Sequence, residues 1–215
     1  MKRLLTALLV CISFFLFAQE RPFWKEIQSF RANDSLQPPP EKAIVFVGSS
    51  SFKMWKNIVS DFPEHTVINR GFGGSSLPHV IYYADEIVIP YKPRQVVVYC
   101  GENDFMSDTV TSEIVVNRFK QLFNLLRKEI RRAEIVFVSM KPSPSRRHLM
   151  PQMSAANESI KDFLKGERRA VYVNIWDPML DSNGAPRKEL FLADMLHMNE
   201  KGYAIWQKAL EPHLK

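Results

Sequence analysis

Ile44-Val45-Phe46-Val47-Gly48-Ser49-Ser50-Ser51 is the stretch on which the fold turns. Four apolar residues in a row are too few for a helix and read as a strand buried on both faces. Gly48 permits a tight turn at its end, and a helix is expected to open beyond the serines, near Phe52 to Ile58. Four further runs read the same way: Thr66-Val67-Ile68, Gln95 to Tyr99, Ile135 to Val138 and Val171 to Ile175. Between the third and fourth runs, Ile114, Val115, Phe119, Leu122, Leu126 and Ile130 recur at helical spacing from a Thr111-Ser112 start. Ser154 to Leu164 and Asn199 to Leu210 are further helix candidates. A helix over Trp24 to Asn33 precedes the first strand, joined to it by an extended connector containing Pro38-Pro39-Pro40. Strands alternating with helices imply parallel pairing through crossovers, and all-apolar strands imply cover on both faces. The expected architecture is a three-layer α/β/α sandwich on a five-stranded parallel sheet.

In such a sheet the loops after the carboxyl ends of the strands form the ligand site. Four polar clusters fall there: Gly48 to Ser51, Asn69-Arg70-Gly71-Phe72-Gly73-Gly74, Gly101-Glu102-Asn103-Asp104, and Asp194-Met195-Leu196-His197 before the last helix. An Asp three residues before a His can hold that imidazole as a general base. A serine hydroxyl is the matching nucleophile, and a backbone N–H and a side-chain amide are the matching donors to an oxyanion. Each cluster has a plainer use when taken singly: capping serines, a flexible glycine turn, a turn asparagine, a surface histidine. By chemistry alone Ser49, Ser50 and Ser51 are equal candidates. His65, His79, His148 and His213 have no acidic residue three positions before them. His148 sits in a loop rich in Pro and Arg and reads as solvated. Cys100, at a strand end, reads as a small buried apolar residue.

The bulk composition sets the setting. Lys2 and Arg3 precede an almost unbroken apolar run from Leu4 to Phe17, with a plausible cleavage zone at Phe17-Ala18-Gln19. This reads as a signal peptide over residues 1–19, too short to span a bilayer. Residues 20–215 then form one domain with room for a substantial core. Of the 29 Lys and Arg, 27 remain beyond Arg3, against 23 acidic residues. The basic residues are scattered apart from Arg127-Lys128…Arg131-Arg132 and Arg146-Arg147. The first group reads as a solvated helix face, so no nucleic-acid partner is expected. Nor is a membrane span, once the leader is removed. Only Cys100 remains after cleavage, so no intramolecular disulfide can form, which fits a bacterial periplasm.

Together the four clusters resemble the four blocks of the SGNH hydrolases, the GDSL esterase/lipase superfamily, over Ile44 to Trp206. Gly48-Ser49-Ser50-Ser51 is similar to the Gly-Asp-Ser-Leu block, with Ser49 in place of the usual Asp and Ser51 in place of Leu. The resemblance implies a flavodoxin-like fold, with Ser50 as nucleophile, His197 as base and Asp194 as its orienting acid. It implies an oxyanion hole from the N–H groups of Ser50 and Gly74 and the amide of Asn103. It implies no metal or cofactor, and a small-molecule or glycan ester as substrate. Hydrolysis of short acyl esters on carbohydrates is the leading expectation, with export to the periplasm or extracellular space. The alternatives are a lysophospholipase or thioesterase-like acylhydrolase and a cell-wall glycan O-acetyltransferase. The absence of a long apolar lid argues against a triglyceride lipase, and the oligomeric state is left open.

Overall fold

The computed structural model describes residues 21–215; the proposed signal segment, residues 1–19, lies outside them. Five strands form one sheet: β1 (Ile44–Gly48), β2 (Val67–Gly71), β3 (Gln95–Tyr99), β4 (Glu134–Val138) and β5 (Ala170–Val173). All neighbours are parallel, in the order β2-β1-β3-β4-β5. That is a doubly wound order with its switch point between β1 and β3, where such sheets open a crevice at their carboxyl ends.

Among the described residues seven α-helices cover the sheet: α1 (Trp24–Leu36), α2 (Ser50–Met54), α3 (Ile58–Asp61), α4 (Leu77–Ile87), α5 (Ser112–Glu129), α6 (Met150–Lys165) and α7 (Glu200–Leu210). Side chains alternate across each strand. Val45, Val47, Val96, Val98, Ile135 and Phe137 pack with α1, α4, α5 and α6. Ile44, Phe46, Val97, Tyr99, Val136 and Val138 pack with α2, α3 and α7, around Phe52, Trp55 and Trp206. The two apolar faces explain the unbroken apolar runs of the sequence. Burial of each such aliphatic side chain contributes roughly 1.5–3 kcal/mol.

The three-layer sandwich and its five strands agree with the expectation, and the differences are local. Helix α4 was not expected. Leu77–Ile87 is rich in aromatic and β-branched residues, which favour strands. Burial of Leu77, Val80, Tyr83, Ala84 and Ile87 overrides that preference. So does its start: Ser76 and His79 form a reciprocal capping box, and Asp104 Oδ2 accepts the Leu77 N–H at 2.9 Å. The helix after Ser50 stops at Met54 instead of running to Ile58. Trp55 there is buried and donates its indole N–H to Asp61 Oδ2 at 2.5 Å. Strand β5 ends before Ile175, because the Ile175 N–H is taken by Ser139 Oγ at 3.0 Å. Helix α6 starts four residues earlier than expected, with Pro151 in its first turn, where proline is tolerated.

Candidate functional site

The site forms where β1 and β3 end. Gly48 pairs with Tyr99 across the ladder at φ 146°, and a Cβ placed there would lie 1.8 Å from the Tyr99 carbonyl oxygen. Only glycine fits. Its carbonyl accepts the Phe72 N–H at 2.9 Å and the Ser75 hydroxyl at 3.0 Å. Ser75 O in turn accepts the Asn103 side-chain amide at 2.8 Å. The glycine turn after β2 and the Asn103 turn after β3 are thereby tied to the end of β1.

The chain turns at Ser49 and enters α2 at Ser50. Ser49 and Ser51 are buried, and Ser51 offers its carbonyl to the Tyr203 hydroxyl at 2.8 Å. Ser50 alone of the three meets a histidine, with Oγ 3.0 Å from His197 Nε2. His197 Nδ1 lies 2.6 Å from Asp194 Oδ2. Asp194 Oδ1 accepts the backbone N–H groups of Leu196 and His197, both at 2.9 Å. Met195 takes the left-handed conformation (φ 55°) that closes this turn. Burial alone would raise the carboxyl's pKa. The hydrogen bonds from the His197 ring and from the two N–H groups outweigh it and hold the group at about 2.

These facts assign the imidazole tautomer. An ionised carboxylate only accepts, so Nδ1 carries the proton and Nε2 presents its lone pair to the Ser50 hydroxyl. A serine so placed can lose its proton as it attacks an electrophilic carbon.

Donors for a developing negative charge stand nearby in the fold. Ser50 is the first residue of α2, so its N–H has no partner within the helix. Gly74 is exposed at φ 78°, and its N–H makes no hydrogen bond among the described residues. Asn103 Nδ2 keeps one hydrogen beyond the one given to Ser75. Ser50, His197 and Asp194 are thus joined by hydrogen bonds, and others tie Asn103 and the loop that carries Gly74 to the end of β1.

Cys100 and His148 fall where the sequence places them, one buried and one exposed. Burial pushes the Cys100 thiol pKa well up, so it stays protonated. Asp104 caps α4 through the Leu77 N–H, and its Oδ1 accepts from Arg118 Nη1 at 2.8 Å. Sequence reasoning missed Lys141 and Arg146. Lys141 Nζ donates to Glu102 at 2.9 and 3.1 Å and to the Tyr99 hydroxyl at 3.2 Å. Burial lowers its pKa, and the charge and hydrogen bonds of Glu102 act against that. Arg146 donates to Glu102 Oε2 at 3.2 Å and to Asn103 Oδ1 at 2.7 Å. A lysine in an apolar neighbourhood, with an acid in the Asn103 cluster, was the available signal.

Residues 38–205 match the model of the GDSL-like lipase/acylhydrolase family. The chain belongs to this family. Its members are hydrolases acting on esters, so small-molecule esters are the substrate class of this GDSL-like acylhydrolase. No curated protein matches it by sequence. Solved structures share the fold. A GDSL-like lipase from Bacteroides thetaiotaomicron superposes with a TM-score of 0.75 at 20% identity, covering 87% of this chain and 96% of that one. A lipase/acylhydrolase from Enterococcus faecalis gives 0.61 at 18%, covering 80% and 96%. A mutant of Axe2, an acetyl-xylooligosaccharide esterase from a Geobacillus, gives 0.64 at 14%, covering 80% and 94%. No helix among the described residues of this GDSL-like acylhydrolase is long and apolar enough to cross a membrane.

Proposed function

We propose that the chain is an exported serine esterase that removes short acyl groups, acetyl above all, from carbohydrates. The observation that carries the mechanism is the relay from Asp194 through His197 to Ser50, at 2.6 and 3.0 Å. Ser50 Oγ attacks the ester carbonyl while His197 Nε2 takes its proton. The N–H groups of Ser50 and Gly74 and the amide of Asn103 receive the oxyanion. His197 then protonates the leaving alcohol, and the acyl-serine is hydrolysed by water with His197 again as base. Asp194 stays ionised throughout, its charge favouring the imidazolium that forms.

The carbohydrate reading is supported by a cleft of about 510 Å³ beside Asn103. Ser76, His79, Ser107, Thr109 and Arg118 supply hydroxyl, imidazole and guanidinium groups to it, suited to sugar hydroxyls. The shared fold with an acetyl-xylooligosaccharide esterase is in keeping with it. Export is part of the proposal and rests on Lys2, Arg3 and the apolar Leu4–Phe17. A second reading, an acylhydrolase for longer chains, draws on a groove of about 910 Å³. That groove includes Met54, one turn beyond Ser50, Met198, next to His197, and the exposed Leu192.

The deciding experiment is labelling with a fluorophosphonate probe, with the modified serine mapped by mass spectrometry. Attachment at Ser50 supports the mechanism, and attachment elsewhere or none removes it. Turnover of acetate, butyrate and octanoate aryl esters then separates the substrates. A kcat/KM falling with chain length favours acetyl esters, and one rising with it favours the second reading.

A further inference from the structure

We propose that Arg146 is a positioning residue that fixes the orientation of the Asn103 amide and so keeps its N–H available to the oxyanion. This rests on the serine-esterase reading. Arg146 Nη2 donates to Asn103 Oδ1 at 2.7 Å, while Asn103 Nδ2 donates to Ser75 O at 2.8 Å. A guanidinium only donates and a backbone carbonyl only accepts. Rotating the amide by half a turn would set NH₂ against guanidinium and carbonyl against carbonyl. The side chain therefore has one orientation, in which one amide hydrogen is held by Ser75 and the other is left for substrate. Removing Arg146 deletes the contact that distinguishes the two ends of the amide on its carbonyl side.

Arg146 is itself held. Its Nη1 donates to Glu102 Oε2 at 3.2 Å, and Glu102 receives Lys141 at 2.9 Å on its other oxygen. Glu102 and Lys141 are only 4% and 3% exposed. A buried ion pair recovers little of its desolvation cost as stability, so its place beneath Arg146 points to orientation as its use. The neighbouring Ser145 N–H donates to Met195 O at 3.0 Å, inside the turn that carries Asp194 and His197. One short segment thus registers the oxyanion amide against the base.

The test is a double-mutant cycle on the full chain, with kcat and KM on 4-nitrophenyl acetate and the melting temperature of each variant. Arg146→Gln is expected to lower kcat by about 10- to 100-fold with KM within about twofold, the scale of a misplaced catalytic group. Arg146→Lys falls between, because it keeps the charge and loses the fork. The variant carrying both Arg146→Gln and Asn103→Ala is expected to be no slower than Asn103→Ala alone, since Arg146 acts through Asn103. Losses that multiply, a raised KM at unchanged kcat, or a lowered melting temperature with normal turnover would each overturn the proposal. If Arg146→Gln does not fold, Arg146→Lys carries the cycle. Failure of the esterase reading looks different: the wild type does not turn over, or Ser50→Ala still does.

Discussion

Asp194 grips His197 at two points. One carboxylate oxygen accepts the histidine's backbone N–H at 2.9 Å, and the other faces its ring Nδ1 at 2.6 Å. The spacing of three residues lets one short side chain fix both the position of the turn and the tautomer of the ring. Through Nε2 the same contact reaches Ser50 at 3.0 Å.

Asp194→Asn separates these two tasks. The amide oxygen can still accept the backbone N–H groups, so the turn is kept. The amide nitrogen now meets Nδ1 as a donor, which moves the ring proton to Nε2 and turns it against the Ser50 hydroxyl. The expected result is a kcat lower by about four orders of magnitude, the scale a wrong tautomer costs, with a nearly unchanged circular dichroism spectrum. Steady-state kinetics on an aryl acetate measure it; a loss below tenfold would remove Asp194 from the relay.

The same carboxylate sets an acid dependence. Held at about 2 in the fold, against about 3.9 in an unfolded chain, it takes up its proton more readily when unfolded. Its contribution to stability is whole above the unfolded value and is lost as pH falls through the folded one. Asp194 is 47% exposed, so solvent screens the effect and the contribution is small. The difference in urea midpoint between wild type and Asp194→Asn is expected to shrink as pH falls from about 5 toward 2. A difference that grows over that acid range contradicts the assignment.

Among the three serines, Ser50→Ala is expected to abolish both turnover and fluorophosphonate labelling while the melting temperature holds. Ser51→Ala is expected to keep its turnover. Ser51 is 1% exposed, and what it gives the structure is a backbone carbonyl for Tyr203, which alanine also has. A dead Ser51→Ala beside an active Ser50→Ala would transfer the nucleophile's role.

What the sequence made legible, and what it hid, divides along physical lines. Strands buried on both faces announce themselves as apolar runs, and β1, β3 and β4 lie within a residue of where Ile44, Gln95 and Ile135 place them. The Asp194–His197 pair is local, so its spacing can be read directly. Helix α4 was hidden because its stability comes from burial and from Asp104, 27 residues away. Arg146 was hidden for the same reason. Its partners Glu102 and Asn103 lie 44 and 43 residues upstream, and without the fold it is one more basic loop residue. Nothing local told Ser50 from its neighbours; the structure does so by burying Ser49 and Ser51.

Gly48→Ala tests the junction beneath the site. The added Cβ would fall 1.8 Å from Tyr99 O, a backbone atom paired in the ladder, and φ is 146°. No side-chain rotation relieves that contact, so β1 and β3 must part at their ends. The expected cost is about 3 kcal/mol or more, a fall of roughly 6–12 °C in melting temperature for a domain of this size. Differential scanning calorimetry checks it; a change under about 2 °C would mean that the sheet end is softer than the contact implies.

Asn103→Ala distinguishes a catalytic amide from a structural one. The side chain bridges Ser75 O and Arg146, so some loss of stability is expected whatever its role. Two neutral or charge-assisted hydrogen bonds contribute about 1–3 kcal/mol each at most, which leaves the domain folded at room temperature. Only the oxyanion role adds a kinetic signature. A neutral ester carbonyl draws little on the amide, whereas the tetrahedral oxyanion draws strongly, so the loss falls on the transition state. The expected outcome is a kcat lower by about two to three orders of magnitude, with KM changed by less than about threefold. Asn103→Asp makes the comparison sharper. It can still accept from Arg146, but it sets a carboxylate where the oxyanion forms, so it is expected to be slower than alanine. Near-normal kcat in a folded Asn103→Ala would leave the amide as a bridge between two loops, and the N–H groups of Ser50 and Gly74 as the only donors.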